Sequence, residues 1–176
     1  MGKKIATLGD TKHILTCSLY VVHKRYDSQI ERIPFSSFEK AIDALKKGEV
    51  DSCIVPCAYP QITNFITDLQ LEITEIFLET IPNLVLVGIN KTKPKSINRL
   101  FLHPATESII PNFLKDAFIE KIFVSSNSEA CRKLKENPKN SIAITNELAS
   151  NHYQLYLYDT LRTKMKMPFI AFSRIN

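Results

Sequence analysis

The chain has 176 residues, 44% of them hydrophobic and 23% charged, an ordinary composition with length enough for a real core in one domain or two small lobes. No apolar run approaches the roughly 20 residues that span a bilayer, and the start MGKKIATLGD lacks the apolar stretch of a secretory signal, so no membrane partner is expected and the cytoplasm is the expected compartment. The formal net charge of +5 comes from dispersed lysines with no basic run interleaved by aromatics, which argues against nucleic acid.

In chain order, residues 5–8 (IATL) predict a strand ending at Gly9-Asp10, and residues 11–24 a helix with Leu15, Leu19 and Val22 at helical spacing. Residues 31–35 predict a second strand. Ser36-Ser37-Phe38-Glu39 then has the chemistry of a helix start, Phe38, Ile42 and Leu45 form its apolar stripe, and Gly48 stops it. Residues 50–55 are short and apolar, as a strand buried on both faces should be, and they end in Pro56-Cys57-Ala58-Tyr59. This βαβαβ order implies parallel strands covered by helices, with ligands expected outside the carboxyl ends of the strands.

Residues 72–80 and 84–89 predict two strands, and the pattern then restarts. A strand over 97–102 ends at His103-Pro104, and a helix broken near Pro111 follows. A strand over 121–124 ends in Ser125-Ser126-Asn127-Ser128, which caps a helix over 129–135. A strand over 141–144 ends in Thr145-Asn146-Glu147 before a helix to about His152, and 156–161 and 169–172 close the chain. The expected organisation is two α/β lobes, 1–82 plus 155–176 and 83–154, with a ligand cleft between them. Helix N-termini near Thr11, Tyr59, Thr106, Ser126 and Asn146 suit a small polyanion. Cys17, Cys53, Cys57 and Cys131 contain no CxxC pair, so neither metal nor disulfide is expected. The basic cluster from Arg162 to Lys166 reads as a solvated strand end or as a neighbour of an anionic ligand.

Five collinear segments, residues 6–9 (ATLG), 51–56 (DSCIVP), 102–104 (LHP), 125–130 (SSNSEA) and 143–149 (AITNELA), resemble the catalytic domain of prephenate dehydratases. That resemblance implies a two-lobed α/β fold of the type II periplasmic-binding-protein kind. The chain departs from the family pattern at three places. Lys12-His13 stands where the family has Gly-Thr, Cys57-Ala58-Tyr59 where it has Glu-Asn-Ser, and Met167-Pro168-Phe169 where it has Thr-Arg-Phe. A methionine cannot protonate a leaving hydroxyl, and a proline cannot grip a carboxylate in a fork. The segments VPCAY (55–59) and TNELA (145–149) are similar to a decarboxylating branch of the family, that of bacilysin biosynthesis, although Cys57 stands where that branch implies histidine.

The resemblance therefore implies a cofactor-free lyase that decarboxylates prephenate without aromatising it, in the making of a specialised metabolite. The alternatives are a small-anion binding or regulatory protein without chemistry and, last, a residual dehydratase. Candidate proton donors are Tyr59, His13 and Cys57. Tyr59 reads otherwise as a packed ring with its hydroxyl in water, His13 as an exposed helix residue, and Cys57 as a small buried filler. Candidate substrate contacts are Thr11, His103, Ser126, Asn127, Ser128, Thr145, Asn146, Lys166 and Met167. Plain capping is the competing role for His103, Ser126, Asn127, Ser128, Thr145 and Asn146, and plain solvation for Lys166. The expected partner is a small dicarboxylate. The assembly state is left open, a homodimer included.

Overall fold

The computed structural model of the protein describes residues 2–9, 12–115 and 118–175. Its elements run β1 (Lys4–Leu8), α1 (Cys17–Arg25), β2 (Glu31–Phe35), α2 (Phe38–Lys46), β3 (Ser52–Pro56), α3 (Ile62–Ile66), β4 (Leu71–Thr80), β5 (Leu84–Gly88) and β6 (Arg99–Leu102). A 3-10 turn (Pro104–Ile109) and α4 (Asn112–Lys115) lead into β7 (Glu120–Phe123), α5 (Asn127–Glu136), β8 (Ser141–Asn146), α6 (Glu147–His152), β9 (Tyr156–Arg162) and β10 (Lys166–Arg174). The chain divides into two compact units, Met1–Ile81 with Lys166–Asn176, and Pro82–Met165.

The first unit holds a five-stranded sheet in the order β2-β1-β3-β10-β4. β1 is parallel to β2 and β3, and β10 is antiparallel to β3 and β4. The sheet is thus mixed rather than wholly parallel as expected, because β10 returns from the far end of the sequence between β3 and β4. One face of β1 and β3 packs on α2, where Ala6, Cys53 and Val55 meet Phe38, Ile42 and Leu45, all buried. Ser37 caps α2 by accepting from the Lys40 amide at 3.2 Å.

The helix expected over 11–24 begins only at Cys17. Thr16 is extended, its hydroxyl accepts from the Leu19 amide at 3.1 Å, and it donates to the Leu8 carbonyl at 2.7 Å. That threonine ends the loop and starts the helix at once. Leu15 is buried ahead of the helix, so its helical spacing misled the expected boundary. Thr11 lies outside the described residues.

The second unit repeats the plan in the order β7-β6-β8-β5-β9, with β6 parallel to β7 and β8, and β5 antiparallel to β8 and β9. Its core has two sides. Phe101, Val85, Val87 and Ala143 pack against Ala130 and Leu134 of α5, and Leu86, Leu100, Leu102 and Ile144 pack against Ile110 and Leu114. Residues 155–165, expected in the first unit, belong here. β9 pairs along β5 from Leu84↔Arg162 to Gly88↔Tyr156, and those backbone bonds decide its sheet.

Candidate functional site

In the first unit the candidates gather at the carboxyl edge of the parallel strands. The Gly9 amide donates to the Phe35 carbonyl at 2.9 Å, joining the ends of β1 and β2. The Cys57 amide donates to the Pro168 carbonyl at 2.9 Å, so the loop after β3 is tied to the start of β10. This brings Cys57, Lys166 and Met167 to one edge of the sheet. Lys166 is exposed and Met167 half-buried. His13 lies in the loop after β1 rather than on a helix, exposed, with its carbonyl accepting from the Leu15 amide at 3.0 Å.

Tyr59 follows two residues after Cys57. Its ring sits 4.8 Å from Phe38 and stacks at 5.8 Å on Phe65, between α2 and α3. Its hydroxyl donates to the carboxylate of Glu39 in the first turn of α2, not to water as the competing sequence reading had it. Burial, then the hydrogen bond and charge of Glu39, push the phenol well above its ordinary range. Partial burial pulls Glu39 upward, but the bonds from Tyr59, its own backbone and Ser37 outweigh it and hold the carboxyl low. The pair is therefore a phenol holding its proton against a carboxylate. Burial also raises the Cys57 thiol. Glu39 was not singled out from the sequence, since nothing local links it to a tyrosine across a strand and a loop.

In the second unit the ends of β6, β7 and β8 carry a tighter cluster. Ser126 is the N-cap of α5, its hydroxyl accepting from the Glu129 amide at 3.1 Å and lying 3.1 Å from the Ser128 hydroxyl. Glu129 accepts in return from the Ser125 amide at 2.8 Å and hydroxyl at 2.5 Å, a capping arrangement displaced by one residue. Thr145 is fully buried at the end of β8. It donates to the Asn127 carbonyl at 2.8 Å and accepts from the Cys131 thiol at 3.2 Å. Burial pushes that thiol up to about 11, against a smaller downward pull from the Thr145 hydrogen bond. Asn146 caps α6 through Oδ1, which accepts from the Ala149 amide at 2.9 Å. Ser126, Asn127, Ser128, Thr145 and Asn146 thus form one neighbourhood in which capping is real.

His103 directly follows β6, the strand between β7 and β8, and caps the 3-10 turn. Its Nδ1 accepts from the Ala105 amide at 3.2 Å, which leaves the neutral ring's proton on Nε2 as a donor. Burial lowers its pKa below 6.5. The unfolded chain therefore binds the proton first as pH falls, and stability present above about pH 6.5 is lost on the way down to the folded pKa. Melting temperature should fall between pH 7 and pH 5. His103→Asn, which can still cap, should melt with a smaller difference; an unchanged difference would remove His103 as its source.

Two helix ends anticipated as anion sites do not have that form. α3 begins at Ile62 with no side-chain cap, and Thr106 lies inside the 3-10 turn, its hydroxyl donating to the His103 carbonyl at 2.7 Å. Sequence reasoning also passed over Asn83. It donates to the Glu147 carboxylate through its amide nitrogen at 3.1 Å and through Nδ2 at 3.0 Å, and its carbonyl accepts from the Glu147 amide at 3.0 Å. Glu147 falls within the TNELA segment, which was its only signal. Among the described residues no group of His, Cys, Asp and Glu side chains could hold a metal ion, and no helix is long and apolar enough to cross a membrane.

Compared with known proteins, residues 5–164 match a family model described as prephenate dehydratase. Prephenate decarboxylase of Bacillus subtilis is 29% identical over 132 residues, covering 72% of this chain and 63% of that protein. The structure of prephenate dehydratase from Arthrobacter aurescens in complex with L-Phe superposes with a TM-score of 0.73 at 18% identity, over 98% of this chain and 61% of that one. The ligand-binding component of an ABC-type import system from Staphylococcus aureus gives 0.59 at 13% identity, over 98% and 65%. The chain spans less than two thirds of the length of each. The fold is the two-lobed α/β fold of the type II periplasmic-binding-protein kind.

Proposed function

Because the chain belongs to the prephenate dehydratase family, matched over nearly its whole length, we propose that it is a prephenate-processing lyase that releases carbon dioxide and leaves the ring non-aromatic. The observation that carries this is Met167-Pro168 at the start of β10, where the family has Thr-Arg. Neither side chain can protonate the ring hydroxyl. Without that proton, water does not leave. The ring-to-carboxylate bond can still break: its electron pair moves through a ring double bond, a proton arrives at a ring carbon, and carbon dioxide departs. The hydroxyl stays, and the product is a dihydro-4-hydroxyphenylpyruvate. The diene itself accepts the electrons, so the route requires no cofactor. A bacilysin-like antibiotic pathway in the cytoplasm is the setting proposed for it, on the likeness to the Bacillus subtilis decarboxylase.

In the second unit Ser126, Asn127, Ser128 and Asn146 are proposed to meet a carboxylate, with His103 donating through Nε2, whereas Thr145, fully buried with its O–H already given to the Asn127 carbonyl, braces the loop behind them; in the first unit Lys166 is proposed to supply positive charge beside Met167. Thr11 joins this set on sequence alone. For the arriving proton, His13 is favoured over Tyr59 and Cys57, because the Tyr59 proton is already directed at Glu39 and both of those groups titrate high. The same facts favour a second reading, a small-anion binder without turnover.

Incubation with prephenate separates these readings. Carbon dioxide without an aromatic product is the expected result. Phenylpyruvate absorbance would establish a dehydratase instead. A raised melting temperature without turnover would establish the binder.

A further inference from the structure

Asn83 stands one residue ahead of β5, and each of its four polar atoms is engaged. Its backbone amide donates to Oε1 of Glu147 at 3.1 Å and its Nδ2 to Oε2 at 3.0 Å, so a single residue grips both carboxylate oxygens. Its carbonyl accepts from the Glu147 amide at 3.0 Å. Its Oδ1 accepts from the Lys164 amide at 3.2 Å. The sheet brings these residues together. β5 runs antiparallel to β8 and β9, with Leu84 opposite Asn146 on one side and Arg162 on the other. Asn83 therefore lies where β8 and β9 both end.

Lys164 has a φ of 48°, in the left-handed region that a lysine enters at a cost, and the bond to Asn83 holds its amide there. Glu147 follows directly on Asn146, the fully buried residue proposed above to meet a carboxylate of the substrate. A second, half-buried carboxylate at that place is a hazard. Left to turn, Glu147 would repel a dianion and disturb its neighbour. The fork from Asn83 takes both of its oxygens and fixes where the charge sits.

We propose that Asn83 is a positioning residue for the substrate. By gripping Glu147 it sets Asn146 in place and keeps the Glu147 charge off the carboxylate that Asn146 meets. This role rests on Asn146 being a prephenate contact. It belongs to Asn83 rather than to any capping group, because Asn83 touches the backbone and the side chain of Glu147 together and ties both to the segment after β9. An alanine there would release all the side-chain bonds at once.

Calorimetry with prephenate, at a temperature where every variant is folded, tests this. Asn83→Ala should weaken binding roughly tenfold. Asn83→Asp sets two carboxylates face to face and should weaken it at least as much. Glu147→Gln opposes two amide donors and should weaken binding too, although it removes a negative charge near an anion. Asn83→Asp combined with Glu147→Gln restores one amide and one carboxylate at the same net charge, and should return affinity to within about threefold of wild type. Melting temperatures that follow this cycle while affinities ignore it would leave Asn83 a structural residue and overturn the proposal, as would tighter binding by Glu147→Gln. A wild type that binds no prephenate would instead end the prephenate reading, and the proposal with it. If the single variants do not fold, hydrogen exchange in the wild type decides. Prephenate should slow exchange of the Glu147 and Lys164 amides, both held by Asn83, and unchanged exchange at both would overturn the proposal.

Discussion

Phe101→Ala is expected to lower the unfolding free energy by about 3–5 kcal/mol, the range found when a buried aromatic is removed and its cavity only partly collapses. Phe101 is 2% exposed on β6, between Ile122 of β7 and Ala143 of β8. It packs with Val85, Val87, Val124, Ala130 and Leu134, so it touches both neighbouring layers of that side of the core. Against a total of about 5–15 kcal/mol for an ordinary domain, such a loss leaves little in reserve. The urea midpoint should fall with the slope unchanged, and Phe101→Leu should recover more than half of the loss. A change below about 1 kcal/mol would mean that the ring does not fill the space assigned to it. If His103 meets prephenate as proposed, affinity should fall in parallel, because Leu102 and His103 follow directly and the end of β6 loosens.

The second large effect is expected at Asn146, where two roles are separable. The residue is fully buried, and its Oδ1 holds the Ala149 amide. Asn146→Ala should cost about 1–3 kcal/mol, from the lost cap and the buried amide left unpaired. Asn146→Ser restores a capping oxygen and should recover most of that stability. If the amide also meets the substrate carboxylate, both variants should bind prephenate at least about tenfold more weakly in calorimetry. Serine binding as tightly as asparagine would leave Asn146 with its structural role alone.

How much of this was legible in the chain depends on range. Ser37, Ser126 and Asn146 cap helices where local pattern placed them, because a cap needs only a side-chain oxygen two or three residues ahead of an amide. The α1 boundary was misjudged because a buried residue at helical spacing, Leu15, is not proof of a helix; Thr16 carried the better signal. The assignment of β9 was beyond local reasoning, since an edge strand with mostly exposed residues joins whichever sheet offers it backbone partners, and β5 does. The bond from Tyr59 to Glu39 was hidden for the same reason. It needs α2 and the loop after β3 to be brought together first, and the residues themselves carry no periodic trace of that.

The position of β10 has a consequence for how the protein is made. β3 has β1 beside it from the start but finds its second neighbour only when residues 169–172 exist, more than a hundred positions later on the ribosome. Every strand of the second sheet, by contrast, comes from one uninterrupted stretch that has emerged by residue 162. Vectorial synthesis therefore lets the later half of the sequence close its sheet first. The earlier half waits with β3 and β4 unjoined, an interval in which a chaperone would find its apolar faces uncovered.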